Sequence, residues 1–103
     1  SRPMISVEAT DRFRDRLRKL ELDHDEVLAA MNAAAASWGR PHLHGGTGIR
    51  RLRREIFECR CGRSVRLVFS REGDALLFDF AGNHDDAQAY LRNRGGAART
   101  LNA

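Results

Sequence analysis

Ile56-Phe57-Glu58-Cys59-Arg60-Cys61-Gly62-Arg63-Ser64-Val65-Arg66-Leu67-Val68-Phe69 is the stretch that decides the fold of this chain. Apolar residues alternate on both sides of Gly62-Arg63-Ser64, the mark of two half-buried strands joined by a tight turn. Turn length fixes register, and register fixes which side chains share a face. A two-residue Gly62-Arg63 loop sets Arg60 opposite Val65 and puts Leu67 on the face of Glu58. A three-residue Gly62-Arg63-Ser64 loop instead pairs Cys61 with Val65, Cys59 with Leu67 and Phe57 with Phe69 on one apolar face. It also sets Arg60 against Arg66 and Glu58 against Val68 on the other face, and it is the register we expect.

The next strand extends the same layer. A two-residue Glu72-Gly73 turn pairs Phe69 with Leu76, Leu67 with Phe78 and Val65 with Phe80, an unbroken apolar surface for helices to cover. On the opposite face it pairs Arg66 with Asp79. Two guanidinium groups directly opposite in a ladder lie about 5 Å apart and repel by about 1–3 kcal/mol, between the dielectric of water and that of a protein surface. Asp79, helped by Glu58, offsets part of this, so an Arg-Asp-Arg surface network of little net energy is one reading. An anion site whose second cation waits for a phosphate is the other.

Past the strands comes Gly82-Asn83-His84-Asp85-Asp86, where Asn83 or Asp85 can cap a helix over 85–93 carrying Ala87, Tyr90 and Leu91. His84 then stands where strand becomes helix, at the rim of the arginine row, and histidine is the usual proton-transfer side chain near neutral pH. Tyr90 either covers the core or reaches the same cleft. Gly95-Gly96 opens a tail, 95–103, expected to be flexible.

Upstream, Met4-Ile5-Ser6-Val7 reads as a short strand and Thr10 as the N-cap of a helix over 11–21. That helix sets Phe13, Leu17 and Leu20 against Arg12, Arg14, Arg16, Arg18 and Lys19, a face that is either solvated or tracks a nucleic-acid backbone. Asp23 with Glu26 resembles a capping box for a second helix over 24–38, whose stripe is Val27, Leu28, Met31, Ala34, Ala35 and Trp38. The short link makes the two helices an antiparallel hairpin. Gly39 and Pro41 stop the second helix, and 39–48 follows as a glycine-rich loop holding His42 and His44 as site candidates.

The 103 residues suffice for one core, and 42% hydrophobic with 31% charged residues is ordinary for a globular domain. Net charge is +4 and the pI about 10, which favours polyanionic partners, nucleic acid first. Thirteen of the 18 basic residues are arginines between Arg2 and Arg66, and only Lys19 is lysine. Arginine suits planar, bidentate phosphate contacts. No apolar run is long enough to span a membrane, and Ser1-Arg2-Pro3-Met4-Ile5-Ser6 has no signal-peptide core, so the cytoplasm is the expected compartment. Met4 is a candidate natural start, with Ser1-Arg2-Pro3 a remnant of processing. Cys59 and Cys61 fall on one strand face, too close and parallel for an easy disulfide. With His42, His44 or His84 they have the makings of a zinc site. Packing as small hydrophobes is the expected role, and no metal or cofactor is expected.

The order strand, two helices, three strands, short helix resembles the RelE/ParE toxin superfamily of bacterial toxin–antitoxin systems, over about 4–92. Ile56-Phe57-Glu58-Cys59-Arg60 is like the "xxELR" strand of HigB-type members and Val65-Arg66-Leu67-Val68-Phe69 like the "YRxxY" strand. Gly82-Asn83-His84-Asp85-Asp86 with Tyr90 is like the "vGxHxexY" close, and His42-Leu43-His44-Gly45 is similar to the "HxLxG" loop of YafQ-like members. The expected fold is therefore α+β: an N-terminal strand and helical hairpin on a small, mainly antiparallel sheet, with a short C-terminal helix, one domain over 1–94.

The resemblance implies a ribosome-dependent endoribonuclease in which the ribose 2′-hydroxyl attacks the adjacent phosphorus of mRNA, together with a cognate antitoxin as partner. Arg66 matches the strand arginine that stabilises the phosphorane, His84 the residue serving leaving group or phosphate, and Tyr90 the terminal catalytic tyrosine. Arg60 supplements lysines that RelE proper has and this chain lacks, which leaves His42 or His44 as the general base. Arg54, His42, His44 and Asp79 complete the set as substrate contacts. Fold does not fix function, and ParE-like or helicase-associated members act as binding modules without catalysis, so a non-enzymatic module is the alternative.

Overall fold

Residues 5–40 and 44–102 are described by this structure, a computed structural model. The chain runs β1 (Ser6–Ala9), α1 (Asp11–Lys19), α2 (His24–Ser37), a single helical turn α3 (His44–Thr47), β2 (Arg50–Arg53), β3 (Ile56–Cys61), β4 (Val65–Glu72), β5 (Ala75–Gly82) and α4 (His84–Asn102). The strands form one sheet in the order β1-β5-β4-β3-β2, with β1 parallel to β5 and the other neighbours antiparallel. It is the α+β arrangement expected, with the helical hairpin between an N-terminal strand and a mainly antiparallel sheet.

Both helix starts are built by the residues that announce them. Thr10 Oγ1 accepts from the Phe13 N–H at 3.1 Å, and Asp23 Oδ1 accepts from the N–H groups of Asp25 (2.8 Å) and Glu26 (3.3 Å). These bonds satisfy donors that a helix N-terminus otherwise leaves to water. Helix α1 stops where Glu21 turns into the left-handed region, φ 53°, and the Leu22 N–H closes back on the Leu17 carbonyl at 3.0 Å. Glycine is the residue suited to that position. Glu21→Gly is expected to raise stability by about 0.5–1 kcal/mol, read as a later urea midpoint at unchanged slope.

The β3–β4 register is the one the three-residue loop requires: Cys61 faces Val65, Arg60 faces Arg66, Cys59 faces Leu67, Glu58 faces Val68 and Phe57 faces Phe69. One sheet face buries Phe57, Cys59, Cys61, Leu67, Phe69, Leu76, Phe78 and Ala81 against Phe13 and Leu17 of α1 and Val27, Met31 and Ala34 of α2. Trp38 meets Phe57 edge-on at 4.7 Å between centroids, so it serves the core. Both cysteines lie in this layer. Burial, with the neighbouring Cys61 and Glu58, pushes the Cys59 thiol up to about 12, so it is expected to resist thiol reagents until the protein unfolds.

Three expectations need correction. The second hairpin does not turn on Glu72-Gly73: Glu72 pairs with Ala75, leaving Gly73-Asp74 as the loop. Gly73 takes the first loop position with φ 59°, where twist-matched hairpin turns place glycine. The ladder then slips, with Val68 opposite Phe80 and Phe69 opposite Phe78, so Asp79 bulges out and does not face Arg66. The bulge turns Phe80 to the other face, where it joins Val68, Ala87, Tyr90, Leu91, Leu52 and Ile56 in a second, smaller core beneath α4.

Ahead of β3, where the sequence pattern is strand-like from Ile49 onward, Arg54-Glu55 makes a two-residue turn between β2 and β3, with Arg54 at φ 32°. Finally, α4 passes Gly95-Gly96 and ends at Asn102, where the sequence reading stopped it at 93. Ala97, Ala98 and Arg99 are strong helix formers and outweigh the glycine pair that suggested an end.

Candidate active site

Glu58 and Arg60 project from β3 on the face opposite the main core, and Arg66 joins them from β4. With Gly48 and Ile49 of the preceding loop, Arg50 of β2 and His84 at the head of α4, they line an open cleft of about 370 Å³. The place of His84 is set by a reciprocal cap: Asn83 Oδ1 accepts from the Asp86 N–H at 2.8 Å, and Asp86 Oδ2 accepts from the Asn83 N–H at 3.0 Å. A Cβ on Gly82 would lie 2.5 Å from Asp86 Cβ, so glycine is what lets α4 start this close to β5.

Glu58 is the residue the sequence reading undervalued, giving it only a charge-balancing part. It is 4% exposed, and its Oε2 lies 3.4 Å from Arg50 Nη2 and 3.7 Å from Arg66 Nε. Its other oxygen, Oε1, is buried without a hydrogen-bond partner, and so is Nη1 of Arg66; no other buried side-chain atom among the described residues is in that condition. Buried polar groups are nearly always paired, and leaving one unpaired costs about 1–3 kcal/mol, more when it is charged. An unmatched acceptor and donor on two residues that line one cleft single it out as the candidate site. The sequence signal was available: a glutamate two residues before Arg60 on a strand shares its face.

Arg60, Arg66 and His84 come together as expected, but Tyr90 and Asp79 do not join them. Tyr90 OH donates to Asp79 Oδ2 at 2.5 Å, and Arg12 and Arg94 reach the same oxygen at 3.4 and 3.3 Å. This cluster borders a separate cleft of about 400 Å³, which shares no lining residue with the first. Tyr90 stacks on Phe80 at 4.7 Å, which holds its ring in the second core. Arg54 sits exposed in the β2–β3 turn and does not line the arginine cleft. His44 opens α3, and His42 lies outside the described residues. The basic face of α1 is largely paired in place: Arg14 with Asp11, Arg18 with Asp15, Arg16 with Asp86 and Arg12 with Asp79.

Burial first, and then the bond to Asp79, push the Tyr90 phenol from its ordinary 10 up to about 12, against an opposing pull from Arg94. Because folding raises this pKa, the stabilisation is fully present below about pH 10 and is lost as pH rises through about 12. Tyr90 is the only tyrosine, so tyrosinate absorbance reads it alone. The native protein is expected to titrate well above the unfolded chain, and Tyr90→Phe should remove that alkaline loss.

Among the described residues no group of three or more His, Cys, Asp and Glu side chains is placed to hold a metal, and no helix is long and apolar enough to cross a membrane. No protein-family model matches the sequence, and no curated protein matches it either. In three dimensions the likeness is plain, and it is to toxins of the RelE-like fold. A copper-bound mutant toxin from Helicobacter pylori superposes with a TM-score of 0.65 at 18% identity, covering 81% of this chain and 98% of its own. The DinJ–YafQ toxin–antitoxin complex of E. coli gives 0.62 at 12% identity, covering 82% and 97%. YafQ from E. coli gives 0.61 at 14%, covering 80% and 96%.

Proposed function

We propose that this chain is the toxin of a type II toxin–antitoxin pair and cuts mRNA on the ribosome by attack of a ribose 2′-hydroxyl on the adjacent phosphorus. The observation that carries the reading is the unmatched Arg66 Nη1 beside the unmatched Glu58 Oε1, in a cleft that Arg60 and His84 also line. A phosphodiester supplies the anionic oxygens Arg66 needs, and its ribose hydroxyl supplies the proton that Glu58 can take.

In the reaction so built, Glu58 Oε1 removes the 2′-hydroxyl proton as that oxygen bonds to phosphorus. Arg66 and Arg60 hold the charge gathering on the phosphoryl oxygens. The bond from phosphorus to the 5′-oxygen breaks, and His84, as imidazolium, gives that oxygen a proton. The products are a 2′,3′-cyclic phosphate and a 5′-hydroxyl, and the proton count closes when Glu58 and His84 exchange with solvent. Glu58 takes the base role for which the sequence reading offers His42 or His44, because its free oxygen lies beside the arginine that would grip the phosphate. Tyr90 drops out of the catalytic set, since its hydroxyl is spent on Asp79.

The likeness to a toxin solved with its antitoxin supports an antitoxin partner that covers this cleft, and the charge of +4 supports a nucleic-acid target. Induced expression in bacteria is expected to arrest growth, with new message ends appearing in primer extension. His84→Gln should slow cleavage by about 10²-fold, as loss of one proton donor does. Harmless expression with intact message would sink the reading, and gyrase inhibition that survives changes in the cleft would put a binding module in its place.

A further inference from the structure

The Arg60 side chain runs through space that a side chain at residue 48 would occupy. A Cβ built on Gly48 would come 2.4 Å from Arg60 Nε, 2.9 Å from its Cγ and 3.2 Å from its Cδ, and these are the three nearest atoms to it. At such distances something must shift, and what would shift is the Arg60 side chain, met from Cγ to Nε. Gly48 also holds φ +69°, which glycine adopts freely. The loop after α3 is thus laid against Arg60 at backbone distance, while Arg66, its Cα partner across the ladder, inclines toward Glu58. Arg66 is paired with Glu58, and Arg60 runs close along the backbone of Gly48.

We propose that Gly48 is a positioning residue: by leaving room for the Arg60 side chain it fixes that guanidinium as the second wall of the phosphate site, facing Arg66. This rests on the nuclease reading above and deepens it, since a phosphate gripped from two sides is oriented for in-line attack, whereas one held by Arg66 alone can rotate. Gly48 touches no reacting atom, and its whole effect passes through Arg60.

The test is a double-substitution cycle built on Gly48→Asn, because asparagine tolerates a left-handed backbone yet carries a Cβ. Gly48→Asn is expected to lower the cleavage rate by about 10- to 100-fold, as an ångström-scale misplacement does, with thermal stability little changed. In an Arg60→Ala background the same substitution should add no further loss, because the atoms it would strike are gone. An equal loss in both backgrounds would overturn the proposal, since the effect would then belong to the loop itself. Arg60 is also to be followed directly through its Nε–H resonance by NMR, in wild type and in Gly48→Asn. That signal is expected to move, and a stationary one would overturn the proposal even if the chain cuts no RNA at all, so the two readings fail separately.

Discussion

Replacing Arg66 by alanine is expected to reduce RNA cleavage by about 10³-fold, the scale on which a preorganised cationic donor stabilises charge developing in a transition state. Two observations make it the largest single loss. The Arg66 side chain is only 24% exposed, so its field is less screened than that of a surface arginine, and its Nη1 is buried with no partner. Lysine in its place should recover little, because an ammonium cannot present the planar fork that meets two phosphoryl oxygens together. Arg50→Ala should cost far less activity. Arg50 lines the cleft but is mostly exposed, and its ion pair is with Glu58 Oε2, so its loss leaves Oε1 and Arg66 in place. The check is a single-turnover rate on ribosome-bound message for each variant, with a melting curve beside it. Removing Arg66 leaves a buried carboxylate with one exposed partner, so some stability is lost as well.

The second large effect runs in opposite directions for activity and stability. Glu58→Leu combined with Arg66→Met should abolish cleavage and yet leave the protein more stable by about 1–4 kcal/mol, as replacement of buried ion pairs by apolar side chains often does. The reason is local. Wild type carries an unmatched buried acceptor and an unmatched buried donor, each costing about 1–3 kcal/mol, while Val68, the ladder partner of Glu58, already belongs to an apolar cluster. In a domain of this size each kcal/mol moves the melting temperature by about 4–8 °C, so a rise of several degrees is expected. Either single substitution should instead destabilise, because it strands the other charge. A double variant less stable than wild type would show instead that the pair contributes net stability to the fold.

The parts of this fold legible in the sequence are those where one constraint admits one answer. Gly62-Arg63-Ser64 and the apolar residues on both sides allow a single register that buries Phe57, Cys59, Leu67 and Phe69 together, and that register is present residue for residue. Thr10 and Asp23 were readable for the same reason, since each side chain has one evident use at a helix start. What escaped is what breaks the period. Nothing in Phe78-Asp79-Phe80 declares a bulge, and strict alternation puts both phenylalanines on one face. The bulge is decided from a distance, by the need of Ala87, Tyr90 and Leu91 on α4 for an apolar floor that Val68, Leu52 and Ile56 cannot supply without Phe80. Moving Asp79 off the ladder also took Tyr90 from the arginine cleft, so one unseen bulge accounts for two misplaced site residues.

The turn at Arg54-Glu55 was equally hidden, because Arg54 adopts a positive φ without the glycine or asparagine that normally gives such a position away. Of the candidate site, the pairing of Arg60 with Arg66 and the nearness of His84 were legible. The weight carried by Glu58 was not, because burial and a missing partner are properties of packing rather than of residue type.

The apposition of Arg66 and Glu58 in a single cleft is the centre of the account. It is tested most directly by adding purified protein to ribosomes carrying a defined message and determining the chemical ends of the products, for wild type and for Arg66→Ala. A 2′,3′-cyclic phosphate and a 5′-hydroxyl are expected at each cut, with the cuts nearly absent in Arg66→Ala. An intact message with the wild-type protein, or cutting that proceeds at the same rate without Arg66, would contradict it.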